Sequence, residues 1–512
     1  MLVKINSIAV LGVDVVRVTV EVNIASRGFP SFDIVGLPNK SIAESKERIK
    51  TAIQNSGIEF PSSKKITVNL APAGMPKEGT FYDLAIATGI VCASKGIKPP
   101  EDSMFFGELS LDGSLRHTKG AFLAALYLED IGLRSIFLPL NSANEAAVFT
   151  GINVYGLSTM GELVSHITGK MQLAPYKNAA IDTRSKHVST QDSEVVGQEY
   201  AKRALEIAAA GGHNVLLIGS PGVGKTMLSR MFSGMLAPLT QQESHEVTKI
   251  YSVTGKIPPG GSLITARPFR APHHTVSYAG FIGGGNPIRP GEISLAHRGV
   301  LFMDEFTEFH KDIIEALRQP MEEGKVTITR SSMSVELPCR FLLLAACNPC
   351  PCGYLLHHKN KCKCSVPDVE RYRKKLSGPI LDRIDIVCRM RDFELKSPDQ
   401  NVLSSHDSHG NNSEIKMVID RIYAAHKIQE KRFDGVGTVL NSEMTNMQVG
   451  LHANLSVEAK VLLNRAVESY GLSARSYFKI VKVARTIADL GGAGDIEPPH
   501  IAEALQYKTS TL

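Results

Sequence analysis

The stretch Gly219-Ser-Pro-Gly-Val-Gly-Lys-Thr226 constrains this chain more than any other. It follows the apolar run Asn214-Val-Leu-Leu-Ile218 and precedes a helical pattern from Met227 to Met235. A buried strand, a glycine-rich turn and a helix in that order form a phosphate cradle. Gly219, Gly222 and Gly224 let the backbone wrap an anion, and Ser220, Pro221 and Val223 complete the loop. The helix that follows aims its positive end at the same charge. Lys225 is placed to reach terminal phosphates, and Thr226 offers a hydroxyl to Mg²⁺.

Two further apolar runs end in polar groups of matching chemistry. Gly299-Val-Leu-Phe-Met303 leads into Asp304 and Glu305. Asp304 suits a Mg²⁺ ligand, and Glu305 a group that polarises an attacking water. Phe341-Leu-Leu-Leu-Ala-Ala346 leads to Asn348, which either orients that water or serves as a turn residue before Pro349. Helix and strand patterns from Asp192 onward predict a parallel α/β sheet.

Length and composition bound the rest. A chain of 512 residues exceeds one core, so about two to four domains are expected. Its net charge of +6 is mild, so any basic surface must be local. No apolar run approaches the ~18 residues of a membrane span. The first strand pattern carries Asp14 and Arg17 where a signal sequence is apolar. A cytoplasmic location is therefore expected. Eight cysteines, five of them between 347 and 364, point to metal rather than to disulfides.

The pattern divides the chain into an α/β domain over 1–168, a linker over 169–192, the phosphate-binding core over 193–395 with a Cys-rich insert at 347–364, a polar mobile linker over 396–414, and a helical domain over 415–512. In the first domain, Ile66–Leu70 reads as a strand, Tyr82–Ala93 and Gly120–Ile131 as helices, and 107–115 as a hairpin turning at Asp112-Gly113. Cys350, Cys352, Cys362 and Cys364 form two Cys-x-Cys pairs able to close a structural zinc site. His357 or His358 could replace one ligand, and the alternative is a loop of free thiols. Cys347, Cys92, Cys339 and Cys388 read as packed small hydrophobes.

The order of further motifs carries a resemblance. Val196-Gly-Gln-Glu-Tyr-Ala-Lys-Arg precedes the phosphate loop, Phe269-Arg-Ala-Pro-His-His274 and Pro290-Gly-Glu-Ile-Ser-Leu-Ala-His lie between loop and acid pair, and Leu381-Asp-Arg-Ile-Asp385 follows Asn348. Nearly the whole chain resembles the Mg-chelatase-like AAA+ ATPases of the YifB/ComM family. The resemblance implies an AAA+ P-loop core with a helical lid, ATP and Mg²⁺, and a homo-oligomer, a hexameric ring, with ATP at subunit interfaces. It implies that Arg383 is an arginine finger, that Arg475 is a second sensor on the lid, and that Gln198 lies near the adenine. It further implies ATP-driven branch migration of DNA during natural transformation, on single-stranded or branched DNA. Relatives sharing the core include MCM helicases and the magnesium-chelatase ATPase, so remodelling of a protein partner and an ATP-dependent DNA scaffold stand as alternatives.

Candidate DNA contacts lie in two loops. Residues 322–338 read as a hairpin with alternating Val326, Ile328, Val335 and Leu337, and with Arg330 near its tip. Arg330, Lys325 and Arg289 are the basic groups for phosphate contact, or else solvated surface charges. The glycine-rich loop 280–289 is either a mobile pore loop or a connector. His273 and His274 suggest metal ligands or structural hydrogen bonds. Residues 72–84 and 107–113 resemble the Lon-protease fold, whose Ser–Lys dyad falls here on Phe81 and near Phe122. Peptidase activity is therefore not expected, with Lys77 and Lys119 the nearby cations for a displaced dyad.

Overall fold

The computed structural model describes residues 1–38, 40–75, 77, 79–177, 197–258, 261–285, 288–330, 333–357, 360–390, 408–435 and 440–508. Val196, His358, Ser331 and Ser332 at the hairpin tip, and most of both expected linkers lie outside these residues.

Long strands with alternating burial build the first domain. Leu2–Leu11 and Asp14–Ala25 pair antiparallel through a tight turn at Gly12, which holds φ at 64°. They centre a mixed seven-stranded sheet. Asp14–Ala25 adds Lys65–Ala71 and then Ser31–Val35 on one side, while Leu2–Leu11 adds Ser103–Phe105, Ser135–Pro139 and Asn153–Leu157 on the other. The expected helices appear as Asp83–Lys95 and Ala121–Asp130, one buried on each of the two sheet-packed cores. Helix Lys40–Asn55 ties to the first of them by an Arg48–Asp83 ion pair at 2.6 Å. Burial nevertheless pushes the Asp83 carboxyl up to about 6, against the pull of Arg48.

The dyad positions offer no nucleophile. The Phe81 ring stacks on Phe106 at 5.1 Å, and Phe122 is fully buried beside Phe149. Lys77 donates to the Pro72 carbonyl, and the Lys119 stem lies against Gly255 of the following domain.

The second domain is a five-stranded parallel sheet. Its order is Phe269–Arg270, Val300–Met303, Leu342–Cys347, Val215–Ile218, Ile386–Arg389. Val215–Ile218 and Val300–Met303 are buried at every residue, as parallel strands covered on both faces require. The chain reverses direction across the sheet at Val215–Ile218, which lies between Leu342–Cys347 and Ile386–Arg389. The crevice beyond the carboxyl ends at such a switch point is where ligands bind.

The C-terminal helices are Ser408–Arg432, Asn446–His452, Val457–Tyr470, Ala474–Leu490 and Pro498–Lys508. The first begins inside the stretch expected to be a mobile linker up to residue 414, which corrects that boundary. Its anchor lies further along, where Ile422 and Ala425 are buried and Gln429 donates to the Ala210 carbonyl. The polar residues before them continue the same helix although they carry no apolar period. Among the described residues no helix is long and apolar enough to cross a membrane.

Core and helical domain share one hydrophobic cluster, from Val215 and Leu217 to Ala484 and Tyr507. Asp385 sits in that contact. Its carboxylate accepts from the Asn214 backbone at 3.1 Å and pairs with Lys479 at 2.7 Å. Burial pushes the Asp385 carboxyl up, but Lys479 and His213 prevail and hold it well below the usual carboxylate range. A carboxyl depressed in the folded state contributes stability above its unfolded value, about pH 4, and loses it as pH falls below that. Lys479→Ala is expected to cost about 3 kcal/mol at pH 7, because it strands a buried charge. Denaturant unfolding followed at pH 7 and again below pH 4 should show the gap to wild type shrinking in acid.

Candidate nucleotide site

Three strand ends meet at Lys225. The loop after Val215–Ile218 turns through Gly222 at φ 82° and Gly224 at φ 92°, both left-handed, and a Cβ at either would meet nothing within 4 Å. Helix Lys225–Met235 starts directly from this turn. The Lys225 ammonium donates to the Gly219 carbonyl at 2.7 Å, the Ser220 carbonyl at 3.3 Å and the Asn348 side-chain oxygen at 2.8 Å. Asn348 stands just beyond Leu342–Cys347, so the loop and the neighbouring strand end are joined through one cation. Burial lowers the Lys225 pKa, opposed by Cys347, Asp304 and Glu305. The Ser220 hydroxyl is buried without a hydrogen-bond partner.

The acid pair approaches from the other side. Thr226 donates its hydroxyl to Asp304 at 3.0 Å, and Asp304 also accepts the Glu305 backbone N–H at 2.9 Å. Glu305 takes a left-handed backbone at φ 50°, an unusual conformation for this residue type. An open turn at Gly222 and Gly224, an unsatisfied hydroxyl, an ammonium and two paired oxygen ligands fit a Mg²⁺-bound triphosphate. Thr226 and Asp304 would hold the Mg²⁺, which neutralises charge on the phosphates.

The sequence marks His274 as a metal ligand or a structural hydrogen-bonding group without placing it in this site, and the structure sets it beside Glu305. Its Nδ1 lies 3.3 Å from the Glu305 carboxylate, while His273 bonds Thr275 at 2.8 Å. The contact forms past the ends of the paired strands Phe269–Arg270 and Val300–Met303, so no local sequence pattern marks it.

The two arginines stand elsewhere. The Arg383 carbonyl accepts from Asn214, at the entry of Val215–Ile218, whereas the phosphate loop follows its exit. At about 3.3 Å per residue the two ends are roughly 16 Å apart. The Arg383 guanidinium turns to the Pro379 carbonyl at 2.6 Å and to Glu322 at 2.6 Å. Arg475, at the start of helix Ala474–Leu490, bonds the same Glu322 carboxylate. Arg383 and then Arg475 hold Glu322 below the usual carboxylate range. Gln198 caps helix Glu199–Gly211 with a left-handed backbone at φ 60°.

The basic loop residues form two adjoining hairpins. Lys325–Arg330 pairs with Met333–Pro338, matching Val326 to Leu337 and Ile328 to Val335. Lys325 does not stand free. It pairs across the strands with Glu336 at 2.9 Å, at the base rather than the tip, because the register sets it only two residues from that acid's cross-strand partner Thr327. In the glycine loop, Gly283–Gly284 pairs with Arg289–Pro290 and Gly283 packs on Ile328. Arg289 is exposed beside its tip.

Cys350, Cys352, Cys362 and Cys364 bring four sulfurs within 4.8 Å of one another. Cys92, Cys339, Cys347 and Cys388 are buried, and burial pushes the Cys347 thiol up to about 12.

Glu305→Gln is expected to keep nucleotide affinity while turnover falls by about 10²–10⁴. His274→Ala should lower kcat by about ten-fold with KM little changed, since it frees Glu305 without touching the loop. Steady-state turnover with a fluorescent-nucleotide binding assay separates the two effects.

Comparison with known proteins agrees with this geometry. The family model described as magnesium chelatase, subunit ChlI, matches residues 192–397. A model for subunit ChlI of Mg-chelatase matches 20–142, and one for the ChlI C-terminal region matches 412–508. The chain is 38% identical over 511 residues to the competence protein ComM of Haemophilus influenzae, covering 98% of this chain and 97% of that protein. It is 38% identical over 506 residues to YifB of Escherichia coli, covering 98% and 96%. An MCM-type protein of Methanocaldococcus jannaschii is 24% identical over 298 residues, covering 55% of this chain and 34% of that protein. With the phosphate loop, acid pair and Asn348 assembled on one parallel sheet, the chain belongs to the YifB/ComM family of Mg-chelatase-like AAA+ ATPases.

Proposed function

We propose that the protein assembles into a ring, a hexamer, and uses ATP hydrolysis to drive DNA as a branch-migration or helicase motor in recombination or natural transformation. The observation that carries this reading is the pair of adjoining hairpins, each with an arginine beside its tip, wired to the ATPase parts. The longer hairpin enters directly from helix Arg318–Glu323, whose Glu322 holds Arg383 and Arg475, and leads into strand Leu342–Cys347, just ahead of Asn348. Its base packs in the same cluster as Met303. Gly12 of the first domain abuts Val335, so that domain buttresses the hairpin.

In this reading Lys225 and Asn348 hold the terminal phosphate, Thr226 and Asp304 the Mg²⁺, and Glu305 activates water. Arg383 and Arg475 face the adjacent subunit, where planar, permanently charged donors neutralise charge developing on the transferred phosphoryl group. Glu322 keeps both arginines in place until hairpin movement releases them. Arg330 and Arg289 meet DNA phosphates, which gives sequence-independent, salt-sensitive binding. The name of the Haemophilus relative, a competence protein, and the MCM-type relative support DNA as substrate.

A second reading, an ATP-driven motor that remodels a protein partner as in magnesium chelatase, is favoured by the family models named for that enzyme. One of them covers residues 20–142, so the first domain does not by itself argue against it. Turnover measured with single-stranded, duplex and branched DNA separates the readings. Branched DNA is expected to stimulate turnover, and labelled branched DNA should move with wild type but not with Lys225→Ala. Arg330→Ala should weaken binding evenly across sequences and flatten the salt dependence by about one unit of slope. Stimulation by a protein partner and never by DNA would favour the second reading, and branched DNA that stays put under all these conditions would discard the first.

A further inference from the structure

The cysteine loop and the phosphate site are in direct contact. We infer that Cys350, Cys352, Cys362 and Cys364 bind one Zn²⁺, and that this metal holds the rear wall of the nucleotide site, setting the position of Asn348 and Pro221.

The sulfurs have the spacing of a closed site. Cys350 lies 3.4 Å from Cys352 and 3.6 Å from Cys362, and Cys352 lies 3.5 Å from Cys362. A disulfide needs about 2.05 Å. Four thiolates around zinc at about 2.3 Å stand roughly 3.8 Å apart, close to these values. The loop has little core of its own. Among the described residues from Pro351 to Ser365, only Gly353 is buried. A segment without a core of its own is ordered by a metal staple. Four protein ligands leave no open position, so the ion is structural and takes no part in hydrolysis.

Three contacts tie that staple to the ATPase parts. Cys350 follows Asn348 by two residues, and Asn348 accepts from Lys225. Gly353, at φ 84°, packs on the phosphate loop so closely that a Cβ there would lie 2.6 Å from Pro221 Cδ. Beyond Cys364, Ser365 caps helix Val366–Arg373, whose Tyr372 accepts from Thr307 at 2.5 Å. Thr307 lies two residues past Glu305. Loss of the metal therefore loosens Asn348, the phosphate loop and the acid-pair segment together.

The metal half of this inference stands on the sulfur geometry, and the coupling half rests on the nucleotide-site reading. Full-length protein purified without a polyhistidine tag or chelator is expected to carry about one zinc per chain by elemental analysis. Cys362→Ser/Cys364→Ser should lose it, bind nucleotide within a few-fold of wild type, and turn over ATP about ten- to hundred-fold more slowly, with kcat rather than KM affected. If that variant fails to fold, thiol-reagent release of zinc from wild type gives the second measure, and bound nucleotide should slow it. Less than one zinc in ten chains, or iron in its place, overturns the metal site. A zinc-free protein with wild-type kcat, or release indifferent to nucleotide, overturns the coupling. Failure of wild type to bind nucleotide would sink the nucleotide-site reading while leaving the metal content as it stands.

Discussion

Parallel strand direction is the constraint on which the rest of the structure depends. Because Val215–Ile218, Val300–Met303 and Leu342–Cys347 all run the same way, their carboxyl ends share one edge of the sheet. Lys225, Thr226, Asp304, Glu305 and Asn348 are therefore neighbours although they span more than 120 positions of sequence. The Lys225 ammonium closes the arrangement by bridging the loop carbonyls to Asn348. The same constraint sends Arg383 to the opposite edge, since it precedes Ile386–Arg389 rather than following it. A chain built this way holds the phosphate loop and Arg383 at opposite edges of one sheet.

The helical domain reinforces that separation. Helix Ala474–Leu490 docks through Lys479 on the buried Asp385, two residues from Arg383, and one turn earlier Arg475 reaches Glu322 beside it. Both arginines are thus set by one helix and one carboxylate, immediately ahead of the hairpin that carries Arg330. At the opposite edge the cysteine loop braces Asn348 and Pro221 from behind. Nucleotide chemistry and surface loops are linked through short covalent spans on both sides.

What was legible in the sequence was local. The phosphate loop announces itself because glycine spacing, strand and helix agree within some twenty residues. The hairpin registers as alternating Val326, Ile328, Val335 and Leu337, and the structure pairs those residues. The cysteine pairs show metal-type spacing, and their sulfurs converge. Contacts between distant elements were not legible. Nothing near Glu322 announces that Arg383 and Arg475 will share it, and His274 meets Glu305 only because parallel strands bring the two segments side by side. Lys325 looked like a free cation because its partner Glu336 lies across a turn. The start of helix Ser408–Arg432 was not legible, because its first residues are polar and its anchors, Ile422 and Gln429, come a few turns later.

Mixing two inactive variants tests the separation of the two edges most directly. Lys225→Ala subunits lack the phosphate cation but keep Arg383, and Arg383→Ala subunits keep the phosphate loop. If each ATP site is completed across a subunit boundary, co-assembled oligomers regain turnover that neither variant has alone, to a substantial fraction of wild type. Turnover that stays at the level of the separate variants, in oligomers shown to contain both, would contradict the shared site and return Arg383 to its own subunit.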